Sequence, residues 1–281
     1  MKRYLSLVVV ALLGVLSGCG GGGESQTSDP AATSSSGATS APATDPTEFS
    51  DDPDLFVEGN LAFVAYHELG HAFVSEFDLP VVGREEDAVD RLATWFLTPD
   101  NKTEAADYLI AAMNGWFLSA SEVPLSEIAW WDEHGTDKQR AYQIACLLYG
   151  ADPERFAAVA DDVELPEGRR DVCEDESAQN EDAWFRLLEP HERPDGSVAP
   201  PASVEVSYGE TDTYVDERDY LEENALLEEL SEVIRTSYAF EPGIVVAAME
   251  CDEPNAFWSA EDRRLTVCYE LVREYRTLAT G

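Results

Sequence analysis

Lysine is almost missing from this chain. Lys2, Lys102 and Lys138 are the only three among 281 residues, and all Lys and Arg together number 18 against 57 Asp and Glu, a formal net charge of −39. Without clustered basic side chains nothing here can neutralise phosphates, so nucleic acid is excluded as a partner. An anionic membrane surface would repel the folded part for the same reason. Long apolar runs are also lacking: the best one, Leu5 to Leu16, is too short to span a bilayer. No C-x-x-C pair occurs among the five cysteines, which argues against a thiolate zinc site. Histidine is scarce, with four residues, and no segment repeats. What is present is 44% hydrophobic and 10% aromatic residues, too much for an acidic disordered chain, so part of the sequence must bury a core. Most of the acids read as a solvating coat of the kind that keeps a protein soluble in salty water.

Lys2 and Arg3 followed by Leu5 to Leu16 read as the start and core of a signal peptide. The run ends in Leu16-Ser17-Gly18-Cys19, which resembles the lipobox of bacterial lipoproteins. That resemblance implies cleavage after residue 18 and a lipid on Cys19. The protein would then lie outside the cytoplasm, on the periplasmic side or the cell surface, touching the membrane through its N-terminal lipid alone. An ordinary secretory signal with an incidental cysteine is the alternative. Residues 19–50, rich in Gly, Ser, Thr, Ala and Pro, cannot offset the entropy of ordering and read as a flexible tether. Residues 51–281 have the length of one domain. With Cys19 assigned to lipid, Cys146, Cys173, Cys251 and Cys268 remain. An even number in an exported chain suggests two disulfides, and the local pairing of Cys146 with Cys173 and Cys251 with Cys268 stands first among three.

Periodicity divides the domain into a helical part, residues 51–192, and a sheet-containing part, residues 203–281. Helices are expected over Asn60–Phe77, Arg84–Leu97, Thr103–Ala120, Asp137–Tyr149, Pro153–Asp161 and Cys173–Leu188. The first carries Leu61, Val64, Leu69, Ala72 and Phe73 near one face. A Pro-rich connection, Pro190–Ala202, follows. Strands are expected over Val204–Tyr208 and Ile244–Met249, with a hairpin from Ala256–Trp258 to Leu265–Cys268. One long amphipathic helix, Asp216–Tyr238, lies between the first two strands, and a short helix, Tyr269–Leu278, ends the chain. The fold class is α+β.

His67-Glu68-Leu69-Gly70-His71 fits H-E-x-x-H and falls inside the first helix. A spacing of four puts both imidazoles on one face, one turn apart, where their nitrogens converge on a zinc ion. Glu68 projects beside them, placed to take a proton from the attacking water and return it to the leaving amine. Half of the chain's histidines fall in this pentapeptide. A third protein ligand is required, and the next helix supplies Glu86 followed by Asp90. This pair resembles the Glu-x-x-x-Asp signature of the thermolysin-like gluzincins, and the resemblance implies that Glu86 is the third ligand and that Asp90 orients His67. In an antiparallel hairpin one step back along the first helix matches one step forward along the second, so Asp90 would lie level with His67. Glu85 and Asp87 compete with Glu86 as ligand. No third His stands at the metzincin spacing.

Five segments together resemble a zinc metallopeptidase family otherwise classed as a domain of unknown function: YHELGHAF from Tyr66, GREEDAVDRLA from Gly83, WDEHGTDKQRAYQIACLLYG from Trp131, WFRLLEPH from Trp184, and NAFW…LTVCYEL from Asn255. The resemblance implies a zincin-like fold, a Zn²⁺ cofactor and a peptide or protein substrate. There is one departure. In that family the Asn-Ala…Cys-Tyr-Glu block precedes the H-E-x-x-H helix, whereas here it follows. Circular permutation accounts for this: residues 203–278 fold back as the substrate-side sheet, and the last helix packs where it would otherwise lead into Asn60.

His134 is a candidate hydrogen-bond donor to the oxyanion of the tetrahedral intermediate, with a surface or helix-entry role as the plainer alternative. Arg140 and Tyr142 stand behind it. His191 reads as structural or solvent-exposed, Tyr269 and Glu270 as packing residues ahead of an approach to the cleft, and the Trp130-Trp131 pair as core ahead of a substrate platform. The expectation is therefore a membrane-anchored zinc peptidase using Glu68 and His134. A non-catalytic surface lipoprotein stabilised by zinc is the competing reading, and Glu68 argues against it, since a purely structural site has no use for a base.

Overall fold

A computed structural model describes residues 52–98, 103–194 and 197–280. The signal peptide, Cys19 and the tether lie outside the described residues. Helix α1, Pro53–Glu76, begins seven residues before the expected Asn60. The start signal is local: the Asp52 carboxylate accepts from the Asp54 N–H at 3.0 Å, and Pro53 occupies the first turn, where its missing N–H costs nothing. The helix is buried almost all round rather than on one face. Val57, Leu61, Phe63, Ala65, Tyr66, Leu69, Ala72 and Phe73 all lie in the core, and burying each of the larger ones contributes about 1.5–3 kcal/mol. Phe73 sits at the hub, with ring centroids 4.7 Å from Tyr238, 5.2 Å from Phe240 and 5.9 Å from Phe96.

The remaining helices of the first part surround α1. They are α2 (Glu85–Leu97), α3 (Thr103–Glu122), α4 (Asp137–Ala151), α5 (Ala157–Asp162) and α6 (Glu167–Leu188). Helix α3 crosses α1 at backbone distance: a Cβ on Gly115 would lie 1.9 Å from the Asn60 side-chain oxygen. A capping box between Thr136 and Gln139 starts α4. The Cys146–Cys173 disulfide ties α4 to α6. Helix α5 is shorter than expected, and α6 starts six residues before Cys173.

The sheet order is β1-β2-β4-β3, formed by Val204–Tyr208, Ile244–Met249, Arg264–Cys268 and Ala256–Ser259. Strands β1, β2 and β4 run parallel, with Val206 opposite Val246 and Val246 opposite Leu265; β3 is antiparallel to β4 and forms an edge. The Cys251–Cys268 disulfide joins the chain beyond β2 to the end of β4.

The expected single long helix is two helices, α7 (Val215–Asn224) and α8 (Leu226–Thr236), broken at Ala225 with φ 54°. The two halves pack on different partners. Helix α7 turns toward α9 (Tyr269–Thr280), while α8 lays Leu227, Leu230 and Ile234 against the sheet and α1. A straight helix would leave one of these faces in water. Asn224, whose side chain donates to the Tyr220 carbonyl at 3.1 Å, closes the first half.

Two contacts seat the β3–β4 hairpin beside α1. Arg263 grips Glu76 through Nε at 2.8 Å and Nη2 at 2.5 Å, and the Trp258 indole N–H donates to Ser75 Oγ at 2.7 Å. Helix α9, which follows β4 directly, also packs on α1. Among the described residues no helix is long and apolar enough to cross a membrane.

Candidate active site

The turn after α1, with Asp78 at φ 50° and Gly83 at φ 109°, reverses the chain so that the first turn of α2 faces the second half of α1. His67 and His71 stand one helical turn apart with their Nε2 atoms 3.3 Å from each other. Glu86 Oε2 lies 3.1 Å from His67 Nε2 and 3.2 Å from His71 Nε2. Ligand atoms about 2.0–2.1 Å from a zinc ion at tetrahedral angles are about 3.3–3.4 Å apart, so this triangle fits one face of a zinc coordination sphere. Its donors, two imidazole nitrogens and a carboxylate, are the types a catalytic zinc takes.

Each histidine has a carboxylate on its other nitrogen. His67 Nδ1 meets Asp90 Oδ1 at 2.7 Å, level with it across the hairpin. His71 Nδ1 meets Glu85 Oε1 at 2.8 Å. An Nδ1–H held this way leaves Nε2 with its lone pair toward the metal position. Arg140, from α4, closes the arrangement behind Asp90, with Nε 2.8 Å from Oδ2 and Nη2 2.6 Å from Oδ1, and its guanidinium lies 3.7 Å over the Trp116 ring.

The groups bear the charge pattern of a cation site. Burial works against a charged His71, but the Glu86 and Glu85 carboxylates outweigh it and push its pKa up to about 9. His67 is raised on the same balance, with Asp90 and Glu86 overcoming burial. Glu86 is half-buried, yet it is held far below the carboxylate range by His134, His67 and His71. Asp90, fully buried, is brought down to about 2 by Arg140 and His67. Positive charge is therefore favoured where these atoms meet; zinc would replace protons there and release them.

Glu68 is 7% exposed, with Oε1 3.9 Å from His67 Nε2. Burial raises its pKa, while the two imidazoles and the Trp258 backbone N–H moderate the rise. A carboxylate lifted in this way takes a proton more readily than an exposed one. His134 enters from the connector before α4, its Nε2 3.0 Å from Glu86 Oε2 and its Nδ1 3.1 Å from Asp132. The Arg84 Nη1 donates to the His134 carbonyl at 3.1 Å and holds that segment to the start of α2.

A cleft runs beside α1 from Asn60 to Ser75, and Phe257 and Trp258 of β3 line its far wall. At 1.5 Å per residue these limits are about 22 Å apart, room for six or seven residues of extended peptide. Cys268 N–H donates to the Asn255 carbonyl at 3.0 Å, so the alternation of an antiparallel ladder turns the C=O groups of Ala256 and Trp258 away from β4, toward the free edge, while the Ala256 N–H donates to Asn255 Oδ1 at 2.9 Å and the Trp258 N–H to Glu68.

A family model described as "putative metallopeptidase" matches residues 37–188 and 207–281. The chain belongs to this metallopeptidase family. No curated protein and no solved structure matches it.

In this family member the structure brings His67, Glu68, His71, Glu86, Asp90 and His134 into one site. Glu85 is not on the metal side: it serves His71 Nδ1, a role the sequence reading missed although the same hairpin register that aligned Asp90 would have found it. Among the described residues, Asp87 does not join the His67, His71 and Glu86 group. Arg140 lines the cleft with its Nε and Nη2 bound to Asp90; nothing local in the sequence signals that pairing, 50 residues apart. Tyr142 packs edge-on against Phe117 and does not line the cleft. His191 stacks on Phe77 at 4.2 Å, and buried Tyr269 donates to the Gly209 carbonyl. Glu270 accepts from the Cys251 and Asp252 backbone N–H groups beside the disulfide. Trp130 and Trp131 are exposed, not core, because the connector carrying them loops out between α3 and α4.

Proposed function

We propose that this protein is a zinc-dependent peptidase that works outside the cytoplasm, anchored by a lipid on Cys19. The observation that carries the catalytic part is the meeting of His67 Nε2, His71 Nε2 and Glu86 Oε2 within 3.3 Å of one another beside a buried Glu68. Bound zinc would supply a Lewis acid that makes water a nucleophile near neutral pH and polarises the scissile carbonyl. Glu68 accepts the proton of the attacking water and delivers it to the leaving amine. His134, its ring fixed by Asp132, donates to the oxyanion as the carbonyl becomes tetrahedral. Asp90 and Glu85 hold the two imidazoles in the ligating tautomer, and Arg140 holds Asp90.

The edge of β3 supports an extended peptide as substrate. Its outward carbonyls border the cleft, and a strand added there passes Glu68 and the metal position. The zincin-like and circularly permuted reading is supported by the same sheet, which follows the H-E-x-x-H helix in sequence yet lies against it, and by α9, which runs from β4 back onto α1. Support for the anchor is the sequence Leu16 to Cys19 and the Gly- and Ser-rich stretch after it. Titrating zinc into metal-stripped protein with a mixed peptide library tests the proposal: cleavage returns with the first equivalent of zinc, and a library left uncut at saturating zinc overturns it.

A further inference from the structure

Two buried side chains lining the cleft carry polar atoms that the fold leaves without partners. Asn60 is 3% exposed and Tyr275 7%, and both line the cleft. The Asn60 amide is fixed by its nitrogen, which donates to the Phe56 carbonyl at 2.8 Å and to the Ala111 carbonyl at 3.1 Å. Both of its N–H groups are thereby used, and Oδ1, an acceptor, is the atom left over. Helix α3 locks it in place: Oδ1 abuts Gly115, where a Cβ would lie 1.9 Å away. Among the described residues neither Oδ1 nor the Tyr275 hydroxyl meets a hydrogen-bond partner. Neither atom is sealed in the interior, so both open on the cleft that their residues line. Buried polar groups are nearly always paired, and two exceptions lining one cleft mark where a bound molecule completes them.

Contacts link the two groups. Gly115 precedes Trp116, the Arg140 guanidinium lies 3.7 Å over the Trp116 ring, and Arg140 is near enough to Tyr275 for their charges to interact. Asn60 stands on α1 two turns before His67, about 10 Å along the helix axis, so only a long side chain beside the cleaved bond spans from the metal position to Oδ1. Val64, one turn after Asn60, and Leu271, one turn before Tyr275, join Trp116 as apolar lining. At the tip Oδ1 accepts a hydrogen bond, and the Tyr275 hydroxyl gives or accepts one. Arg140 and Glu274, which also line the cleft, act on Tyr275 with opposite sign. Their opposition favours an uncharged tip over an ammonium or a carboxylate.

We propose that Asn60 and Tyr275 form the polar end of a specificity pocket that takes a tyrosine side chain of the substrate next to the cleaved bond. The ring packs on Val64, Trp116 and Leu271, and the phenol donates to Asn60 Oδ1 and accepts from the Tyr275 O–H. The proposal rests on the peptidase reading of the cleft and adds its substrate class, peptides with tyrosine at that position. Phenylalanine fits the same lining but displaces water from both polar atoms without replacing its hydrogen bonds, which costs about tenfold in affinity or more.

Binding to zinc-loaded Glu68→Gln protein, which separates affinity from cleavage, tests this. The probes are three blocked peptides identical except for one central residue, Tyr, Phe or Lys. The Tyr peptide binds at least about tenfold tighter than the Phe peptide, and adding Tyr275→Phe cuts that preference about threefold or more. Because the Tyr275 hydroxyl has no partner within the fold, Tyr275→Phe leaves Tm unchanged or higher and zinc content unaltered. Equal binding of the Tyr and Phe peptides, a preference untouched by Tyr275→Phe, or tighter binding of the Lys peptide overturns the proposal. A drop in Tm on Tyr275→Phe also overturns it, by showing that the hydroxyl serves the fold. Failure of the peptidase reading shows separately, as a peptide library that wild-type protein leaves uncut in zinc.

Discussion

Arg140 holds both oxygens of Asp90, through Nε at 2.8 Å and Nη2 at 2.6 Å, while Asp90 Oδ1 meets His67 Nδ1 at 2.7 Å. The metal position is therefore aligned from two helices away, along the line from α4 through α2 to α1. Arg→Lys keeps the charge and loses the fork geometry. Arg140→Lys and Asp90→Asn are expected to weaken zinc binding about 10–100-fold, as loss of such a supporting partner does elsewhere. Competition with a chelator of known affinity measures this, with Tm of the metal-free proteins as the control for folding. Glu85→Gln should weaken binding less, because the Glu85 side chain is 45% exposed and water can replace it.

How much of this was legible in the sequence follows from range. His67 and His71 were readable from helix periodicity, whereas Glu86 and Asp90 came from the resemblance to the Glu-x-x-x-Asp signature, which the register of an antiparallel hairpin supported while leaving Glu85 and Asp87 as competing ligands. Arg140 was not readable, since its pairing with Asp90 depends on how α4 packs, which no local pattern encodes. The strands and most helices were readable from alternation and periodicity. The break at Ala225 was not, because Ala is a good helix former and only the competing pull of the sheet and α9 forces the left-handed residue.

Ala225 offers a test of that account. An Ala held at φ 54° gives up about 1–2 kcal/mol that Gly does not. Ala225→Gly is expected to stabilise the protein by about 0.5–1 kcal/mol after the greater chain entropy of Gly is counted, raising Tm by about 1–4 °C. A drop in Tm would mean that the two helices are continuous.

The two disulfides close loops of 27 and 17 residues. On chain entropy alone their removal costs about 3.5 and about 3 kcal/mol respectively. Paired Cys→Ser substitutions, Cys146 with Cys173 and Cys251 with Cys268, should each lower the denaturant midpoint accordingly. Substituting across pairs, Cys146 with Cys251, should lower it by the sum and leave two free thiols detectable by a thiol reagent.

Glu217 is buried beneath Arg273, which meets it at 2.9 Å and 3.0 Å and, against the effect of burial, holds its carboxyl below the ordinary carboxylate range. A pKa lowered by folding stabilises the protein above the unfolded value of about 4.3 and is lost as pH falls through the lower folded value. Glu217→Gln should therefore lower stability by about 1 kcal/mol at neutral pH. The Tm gap between the two proteins should close as pH drops below about 4.

The most direct test compares zinc content and peptide cleavage in wild-type protein, Glu68→Gln and His67→Ala. Wild type and Glu68→Gln should each bind one zinc, only wild type should cleave, with cleavage in Glu68→Gln down by at least about 10²–10⁴-fold, and His67→Ala should lose stoichiometric zinc. Full cleavage by Glu68→Gln, or an undiminished zinc content in His67→Ala, would contradict the account.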